Sequence, residues 1–457
     1  MRVAIDTHGC RLNQAESDAI AAALAAQGHE LVGSLEQADC YVLNTCTITH
    51  EADADARAAI RRATRTRPGL AVVVTGCHAT AEPEQLAALP GVRAVVGNLD
   101  KQRLEPLLAA IGRSEPPQPE PGFVAIDRLT RRRERPPVWQ LEPARAPERT
   151  RPLLKVQDGC DLQCSFCIVP QVRGRSRSLP LERAAEQLAT LHEHPEVVLT
   201  GAHLGLWGRE LEREGGHGSR GRGSRASRLG ELVGGLLAAQ PSARLRLGSV
   251  DPHEVEDDLI ALLVRGVDPS SGAGLCQHIH LPVQSGDDEL LRAMRRAHDV
   301  AALERLVPKL RADAPGLAIG TDVIVGFPGE RDDAFERTLA LFERLTIAFA
   351  HVFVWSPRAG TPAINLPDRV APELAAKRSK ALREQVASTR RRFLLEQIGQ
   401  ERSAVILRRR DRRSGELVAY TDNAIELRLA GPDALLGSRA LVRVEALIEG
   451  RARGCLA

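Results

Sequence analysis

The chain has 457 residues, 43% hydrophobic and 26% charged, so it reads as neither disordered nor fibrous, with length for about three domains. Its net charge of +3 points to no class of partner, and at 3% aromatic content the cores must rest on Leu, Val, Ile and Ala. The opening MRVAIDTHGC has no secretion-type apolar stretch, and no run approaches the roughly 20 apolar residues of a membrane span, so a cytoplasmic protein without a membrane partner is expected.

Residues 1–112 alternate strand and helix signals. Strands are predicted at Arg2–Asp6, Tyr41–Asn44, Ala71–Thr75 and Val92–Val96, and helices at Gln14–Gln27 and Ala52–Arg65. Continuous apolar runs such as AVVVT belong in a buried parallel sheet, so this part reads as a small doubly wound α/β domain. Residues 113–150 hold eight prolines and the cluster Arg131–Arg135, the composition of a linker, with an edge strand near Phe123–Ile126.

Residues 151–370 repeat the alternation on a larger scale. Strands are predicted at Leu153–Gln157, Val197–Thr200, Arg244–Gly248, His278–Leu281, Ala318–Val325 and His351–Trp355. About six strand–helix units make a partial (β/α)6 barrel, with its site at the C-terminal strand ends. The Gly/Ser/Arg segment Glu214–Arg228 reads as a surface insertion of unassigned role. Residues 371–399 form a basic helical connector. Short alternating runs at Ser403–Leu407, Leu417–Tyr420, Ala424–Leu429 and Ala440–Leu447 make 400–457 a small β-barrel, and the tail after Glu449 looks unremarkable.

Nine cysteines in a chain without a secretion signal argue against a disulfide framework. Cys160, Cys164 and Cys167 form a CxxxCxxC after the first barrel strand. Three thiolates on one loop can hold three irons of a cubane and leave the fourth open to an exogenous ligand. A zinc site with a fourth ligand from elsewhere is the competing reading. Cys10, Cys46 and Cys77 each follow a predicted strand, in VAIDTHGC, YVLNTC and AVVVTGC, so a parallel sheet can bring them to one point. Three unrelated core cysteines would look the same in sequence. Cys40, Cys276 and Cys455 read as ordinary.

The segment QDGCDLQCSFCIVPQVRG resembles the radical S-adenosylmethionine (SAM) superfamily, with Phe166 as the aromatic before the last cysteine. The whole chain resembles the methylthiotransferase family, through HGCRLNQAESD, NTCTIT, TGCHA, LTGAHLG, LPVQSGDDELLRAMRR, GTDVIVGFPGE and HVFVWSPRAGTPA. That resemblance implies a methylthiotransferase domain, a radical SAM domain and a TRAM-like RNA-binding barrel. It also implies two 4Fe-4S clusters, on Cys160, Cys164 and Cys167 and on Cys10, Cys46 and Cys77. The resemblance further implies that SAM serves both as radical source and as methyl donor, with an external electron donor and an unidentified sulfur donor. The closest branch is the one acting on tRNA N6-threonylcarbamoyladenosine. Isopentenyladenosine, a ribosomal-protein aspartate, and a non-catalytic zinc and RNA-binding role are the alternatives.

SAM contacts are expected from Phe166, Thr200, Gly201, Ser249, Gln284, Ser285, Val325 and Gly326, each of which could equally be a turn or a cap. His8, His203, His280 and His351 read as packed or hydrogen-bonded, and Asp322 is given no role. Arg131–Arg133, Arg390–Arg392, Arg408–Arg410 and Arg412–Arg413 suit RNA phosphates, although charge runs are usually solvated surface. From Arg390 onward 14 Lys/Arg stand against 9 Asp/Glu. A monomer is expected.

Overall fold

Strands β1 (Arg2–Thr7), β2 (Glu30–Leu31), β3 (Cys40–Thr45), β4 (Ala71–Gly76), β5 (Val92–Val96) and β6 (Phe123–Ala125) form a parallel sheet of order β2-β1-β3-β4-β5-β6 in the computed structural model. The model describes residues 1–113, 123–125, 149–211 and 228–457. Arg131–Arg135 and most of the predicted linker and Gly/Ser/Arg segment lie outside them. Helices α1 (Arg11–Ala26), α2 (His50–Thr66) and α3 (Cys77–Ala81) begin just past the C-terminal ends of β1, β3 and β4. The sheet is buried on both faces: Tyr41, Leu43, Val72 and Val74 pack on one side, Val42, Val73, Ala94 and Val96 on the other. That two-sided burial is why the strands read as unbroken apolar runs.

The central unit has its parallel strands in two sheets, β12-β11-β10-β7 and β13-β14-β15. These are β7 (Leu153–Lys155), β10 (Val197–Thr200), β11 (Arg244–Leu247), β12 (Gly274–Leu275), β13 (His278–Gln284), β14 (Ala318–Val325) and β15 (Phe349–Val354). A bridge from Ser249 to His280 joins the sheets, so the six main strands follow one another as an open barrel. The predicted strand Leu153–Gln157 breaks at Val156. Beyond it a short β8 (Gln157–Asp158) pairs antiparallel with β9 (Arg177–Ser178). Leu245, Leu247, Ile279, Leu281, Val323 and Val352 face the helix-side core. By strand alternation, Arg244, Arg246, His278, His280, Asp322, His351 and Phe353 face the barrel interior.

Helices Leu229–Ala239 and Val300–Asp313 belong to the outer layer. The first carries Gly230, Gly234 and Gly235, which blunt its helical signal. The basic connector is one helix, Pro372–Glu396, packed on β15.

The C-terminal barrel is closed in the order β16-β17-β18-β20-β19, from β16 (Glu401–Arg410), β17 (Leu417–Thr421), β18 (Glu426–Leu429), β19 (Arg439–Ile448) and β20 (Arg451–Leu456). The tail after Glu449 is therefore corrected: β20 closes the barrel between β18 and β19, and closure removes an exposed edge. The barrel core reaches Phe393 and Leu394 of the long helix and Ala318 and Ala348 of the central unit. No helix among the described residues is long and apolar enough to cross a membrane.

Candidate active site

Cys10, Cys46 and Cys77 lie at the C-terminal ends of three neighbouring strands, β1, β3 and β4. Cys46 and Cys77 are buried and Cys10 is exposed. Gly9, at φ 115°, has no room for a side chain: a Cβ there would collide with Cys46 Cβ and lie 3.0 Å from its Sγ. The strand ends thus form a cradle fitted to sulfur. Desolvation pushes the Cys46 thiol up to about 12, and the charges of Cys77 and Cys10 add to the shift, so the three sulfurs feel one another. Such thiols give up their protons when a metal replaces them. Cys40 stands at the opposite end of β3, fully buried.

The second set sits on the loop after β8. Gly159, at φ 70°, packs so tightly on the Arg175 carbonyl that a Cβ would clash, and Cys160 N donates to Gly174 O at 3.0 Å. Gln157 braces the loop through Ser176 Oγ at 3.0 Å and accepts from His203 N at 2.7 Å. Ser165 is pinned by Oγ to Ala293 O at 2.7 Å. Burial pushes Cys160 above the ordinary thiol range and Cys167 up to about 12. Arg296 Nη1 lies 3.4 Å from Cys164 Sγ, a cation ready for thiolate charge. Asp251, which also accepts from His253 at 2.9 Å and from His298 at 3.2 Å, holds that guanidinium. Burial opposes ionisation of Asp251, but the two histidines and Arg296 outweigh it and keep the carboxyl well below its usual range.

The two cysteine sets meet across the junction of the N-terminal and central units. Asn98 Nδ2 lies 3.5 Å from Cys77 Sγ and donates to Val172 O at 2.9 Å. Cys77 also packs on Ile168 and Val172, and its charge raises Cys167. Beneath them Arg173 is almost fully buried, donating to Asn13 at 2.6 Å, Glu16 at 2.8 Å and Asp158 at 3.1 Å. Asn13 Nδ2 holds His8 O and Thr45 O, next to two of the cysteines. Lys101 and Lys155 complete the charge balance on Glu16. Arg358, from the loop after β15, pairs with Asp53 and with Thr47 beside Cys46. Among the described residues no three His, Cys, Asp or Glu side chains converge as a mononuclear metal site would require. Each set offers three thiols, the donor chemistry of an iron–sulfur cluster, in which each thiolate binds its own iron.

Phe166 packs with Met294, Phe327 and Ala363. Thr200 and Gly201 close β10, with Thr200 buried. Ser249 bridges the two sheets. Gln284 holds φ 70°, and Ser285 Oγ accepts from Asp287 N at 3.2 Å. Val325 belongs to the helix-side core, and Gly326 N donates to Glu330 at 2.7 Å, so the side chain of the one and the amide of the other are already occupied. Of the histidines, His203 bonds Glu254 at 2.6 Å and His280 lies 3.0 Å from Asp322. Asn13, Arg173, Asp251 and Arg296 were not singled out from sequence. For Asn13, Arg173 and Arg296 the signal was present as polar residues inside the motifs HGCRLNQAESD, CIVPQVRG and AMRR, whereas Asp251, in SVDPHE, lies outside every motif.

Residues 2–97 match the uncharacterized protein family UPF0004, and residues 154–342 match the radical SAM superfamily. A threonylcarbamoyladenosine tRNA methylthiotransferase MtaB of Bacillus subtilis is 32% identical over 97% of this chain and 93% of its own length. The MtaB of Aquifex aeolicus is 32% identical over 94% and 97%. A tRNA-2-methylthio-N(6)-dimethylallyladenosine synthase of Cereibacter sphaeroides is 34% identical over 97% and 95%. In fold, the chain is similar to the radical SAM methyltransferase TsrM of Kitasatospora setae, with TM-score 0.53 and 17% identity over 79% of this chain and 77% of that one. Near-full-length identity above 30%, with both family models matched, shows that the chain belongs to the radical SAM methylthiotransferase family and is an MtaB-like enzyme of that type.

Proposed function

We propose that the enzyme inserts a methylthio group at C2 of N6-threonylcarbamoyladenosine, beside the anticodon of a tRNA, using SAM and two 4Fe-4S clusters. The observation that carries this reading is the meeting of two three-cysteine sets at one junction, linked through Asn98, Cys77 and Val172. Cys160, Cys164 and Cys167 would hold the radical SAM cluster, and Cys10, Cys46 and Cys77 the second. When bound, the clusters and SAM would supply a carbon-centred radical and a sulfur source for an aromatic C–H that acid–base chemistry does not activate. The chain's own residues hold and isolate these groups. Arg296 offsets thiolate charge at Cys164, and Arg173 brings a buried cation under the N-terminal set. Phe166, Thr200, Gly201, Ser249, Gln284, Ser285, Val325 and Gly326 are the proposed SAM contacts. The reading includes an external electron donor, a cytoplasmic monomer, and sequence-independent tRNA binding by the C-terminal barrel.

The test is mass analysis of nucleosides from tRNA treated with anaerobically reconstituted enzyme. A methylthio group on threonylcarbamoyladenosine is the expected product. The same gain on isopentenyladenosine would transfer the chemistry to the other tRNA branch, and no change in any nucleoside would overturn the reading. A Cys164→Ala variant is expected to lose SAM cleavage while the N-terminal set keeps its iron, so that iron falls by about half. Loss of all iron would show that the two sets do not load independently.

Arg409, Arg412 and Arg413 are exposed on the barrel. Replacing all three by Gln is expected to weaken tRNA binding and to reduce the slope of log K against log salt by about 2–3, since each phosphate contact contributes about 0.9. An unchanged slope in filter binding would remove these residues from the interface.

A further inference from the structure

The interior face of the barrel carries a run of rings. His278 stacks on Phe349 at 5.5 Å and 7° between planes. His280 lies 5.7 Å from Phe349 and 5.6 Å from His351, and His351 lies 6.3 Å from Phe353. His278 and His280 are 2% and 7% exposed, and Phe353 is 41% exposed. The run therefore rises from a buried foot to open rings at the C-terminal strand ends, the end that holds the cysteine loops. His278 Nδ1 is buried without a protein partner. In a chain with 3% aromatic residues, exposing a ring at the rim of an active site calls for a reason.

Arg11 faces this recess from the other side. It is the first residue of α1, directly after Cys10, and α1 lies against β7 and β10. Its side chain is open to solvent yet walled by protein. The charged and polar groups near it are Tyr420, Arg151, Arg246 and Glu196. Its own charge reaches His278 and His351. The nearby carboxylates are taken: Glu196 by Arg151, Arg244 and Arg246, and Asp322 by His280. Among the described residues the Arg11 side chain makes no hydrogen bond or ion pair. An uncommitted guanidinium opposite open rings matches a purine whose side group ends in a carboxylate.

We infer that this recess receives the target nucleoside, with His351 and Phe353 stacking its base and Arg11 pairing with the carboxylate of its N6 side group. The inference rests on the threonylcarbamoyladenosine reading and makes Arg11 the residue that selects for it. Charge-assisted bidentate pairing is the contact a neutral isopentenyl group cannot make.

The test uses reconstituted holoenzyme and two anticodon stem-loops, one bearing the threonylcarbamoyl carboxylate and one with that carboxylate converted to a neutral amide. Wild-type enzyme is expected to bind the acid about tenfold more tightly than the amide. Arg11→Gln should bring that ratio to about one with iron content unchanged, and Arg11→Lys should keep most of it. Phe353→Leu should weaken both stem-loops alike, about tenfold, as loss of one stacked base does. A ratio that survives in Arg11→Gln, or that is absent in wild-type enzyme which still methylthiolates this nucleoside, would overturn the inference alone. A wild-type enzyme that leaves this nucleoside unmodified would overturn the reading beneath it.

Discussion

Replacing Cys10, Cys46 and Cys77 together by Ala is expected to take anaerobically reconstituted protein from about eight irons to about four, and to abolish methylthio transfer while SAM cleavage persists. The two ligand sets come from different units, one from the ends of β1, β3 and β4 and the other from the loop after β8. Each has its own supports: Gly9 and Asn13 brace the first, Gln157, Ser165 and Arg296 the second. Emptying the first cradle touches the second only where Cys77 packs on Ile168 and Val172, and there the alanine Cβ remains while Asn98 still donates to Val172 O. Alanine fills the buried sites of Cys46 and Cys77 without introducing a polar group, so the local cost is that of a small cavity. Iron and sulfide analysis, with 5′-deoxyadenosine release as the second readout, separates the outcomes. About four irons in both proteins would mean that the strand-end set binds no cluster, and the sulfur-insertion role would lose its support. Loss of 5′-deoxyadenosine together with the iron would mean instead that the junction holds both sets as one structure.

The parts of this site that were legible in the sequence are those a strand announces locally. β3 and β4 are largely apolar, fully buried strands followed directly by Cys46 and Cys77, and β1 is a shorter apolar run with Cys10 three residues past its end. What could not be read is what depends on contacts between distant residues. Arg173 meets Glu16 across 157 positions and Arg358 meets Asp53 across 305, and no local pattern encodes either pair. The sequence RLRL at β11 reads as a half-exposed strand, yet Arg244 and Arg246 are as buried as the leucines between them. β20 was missed for a related reason: RARGCL alternates charge with small residues and takes its place only when the barrel closes on it. Cys276, read as ordinary, donates its thiol to Glu196 at 3.3 Å and so belongs to a buried charge cluster.

That cluster sets the second large expectation: Glu196→Ala should lower the melting temperature of the central and C-terminal units by on the order of 10 °C, equivalent to roughly 3–5 kcal/mol. Glu196 is 0% exposed and accepts from Arg244 at 2.9 Å, from Arg246 at 2.7 Å and from Arg151 at 3.2 Å. Its burial favours the neutral acid, but Arg246 and Arg244 outweigh that and hold the carboxyl well below its usual range. The two arginines then dock the C-terminal barrel, Arg244 on Ser403 Oγ at 2.7 Å and Arg246 on the carbonyls of Thr421 at 2.8 Å and Asp422 at 3.1 Å. Tyr420 receives Arg151 and Arg246 on its ring, at 4.0 and 4.8 Å. Alanine would leave two buried guanidinium groups without their carboxylate, which costs more than the pair contributes when intact. The depressed carboxyl also fixes the sign of the pH dependence. Its stabilisation is fully present above the unfolded-state pKa of about 4.3 and is lost as the pH falls through the lower folded-state value. Glu193→Ala, three residues away and exposed, should change stability by less than about 0.5 kcal/mol. Equal melting temperatures for the two variants would show that the barrel is held by its apolar contacts with Phe393, Leu394, Ala318 and Ala348 alone. The same geometry makes deletion of residues 400–457 a poor probe of RNA binding, because it strips Arg244 and Arg246 of their barrel acceptors. Surface substitutions at Arg409, Arg412 and Arg413 leave that junction intact and therefore report on tRNA rather than on the fold.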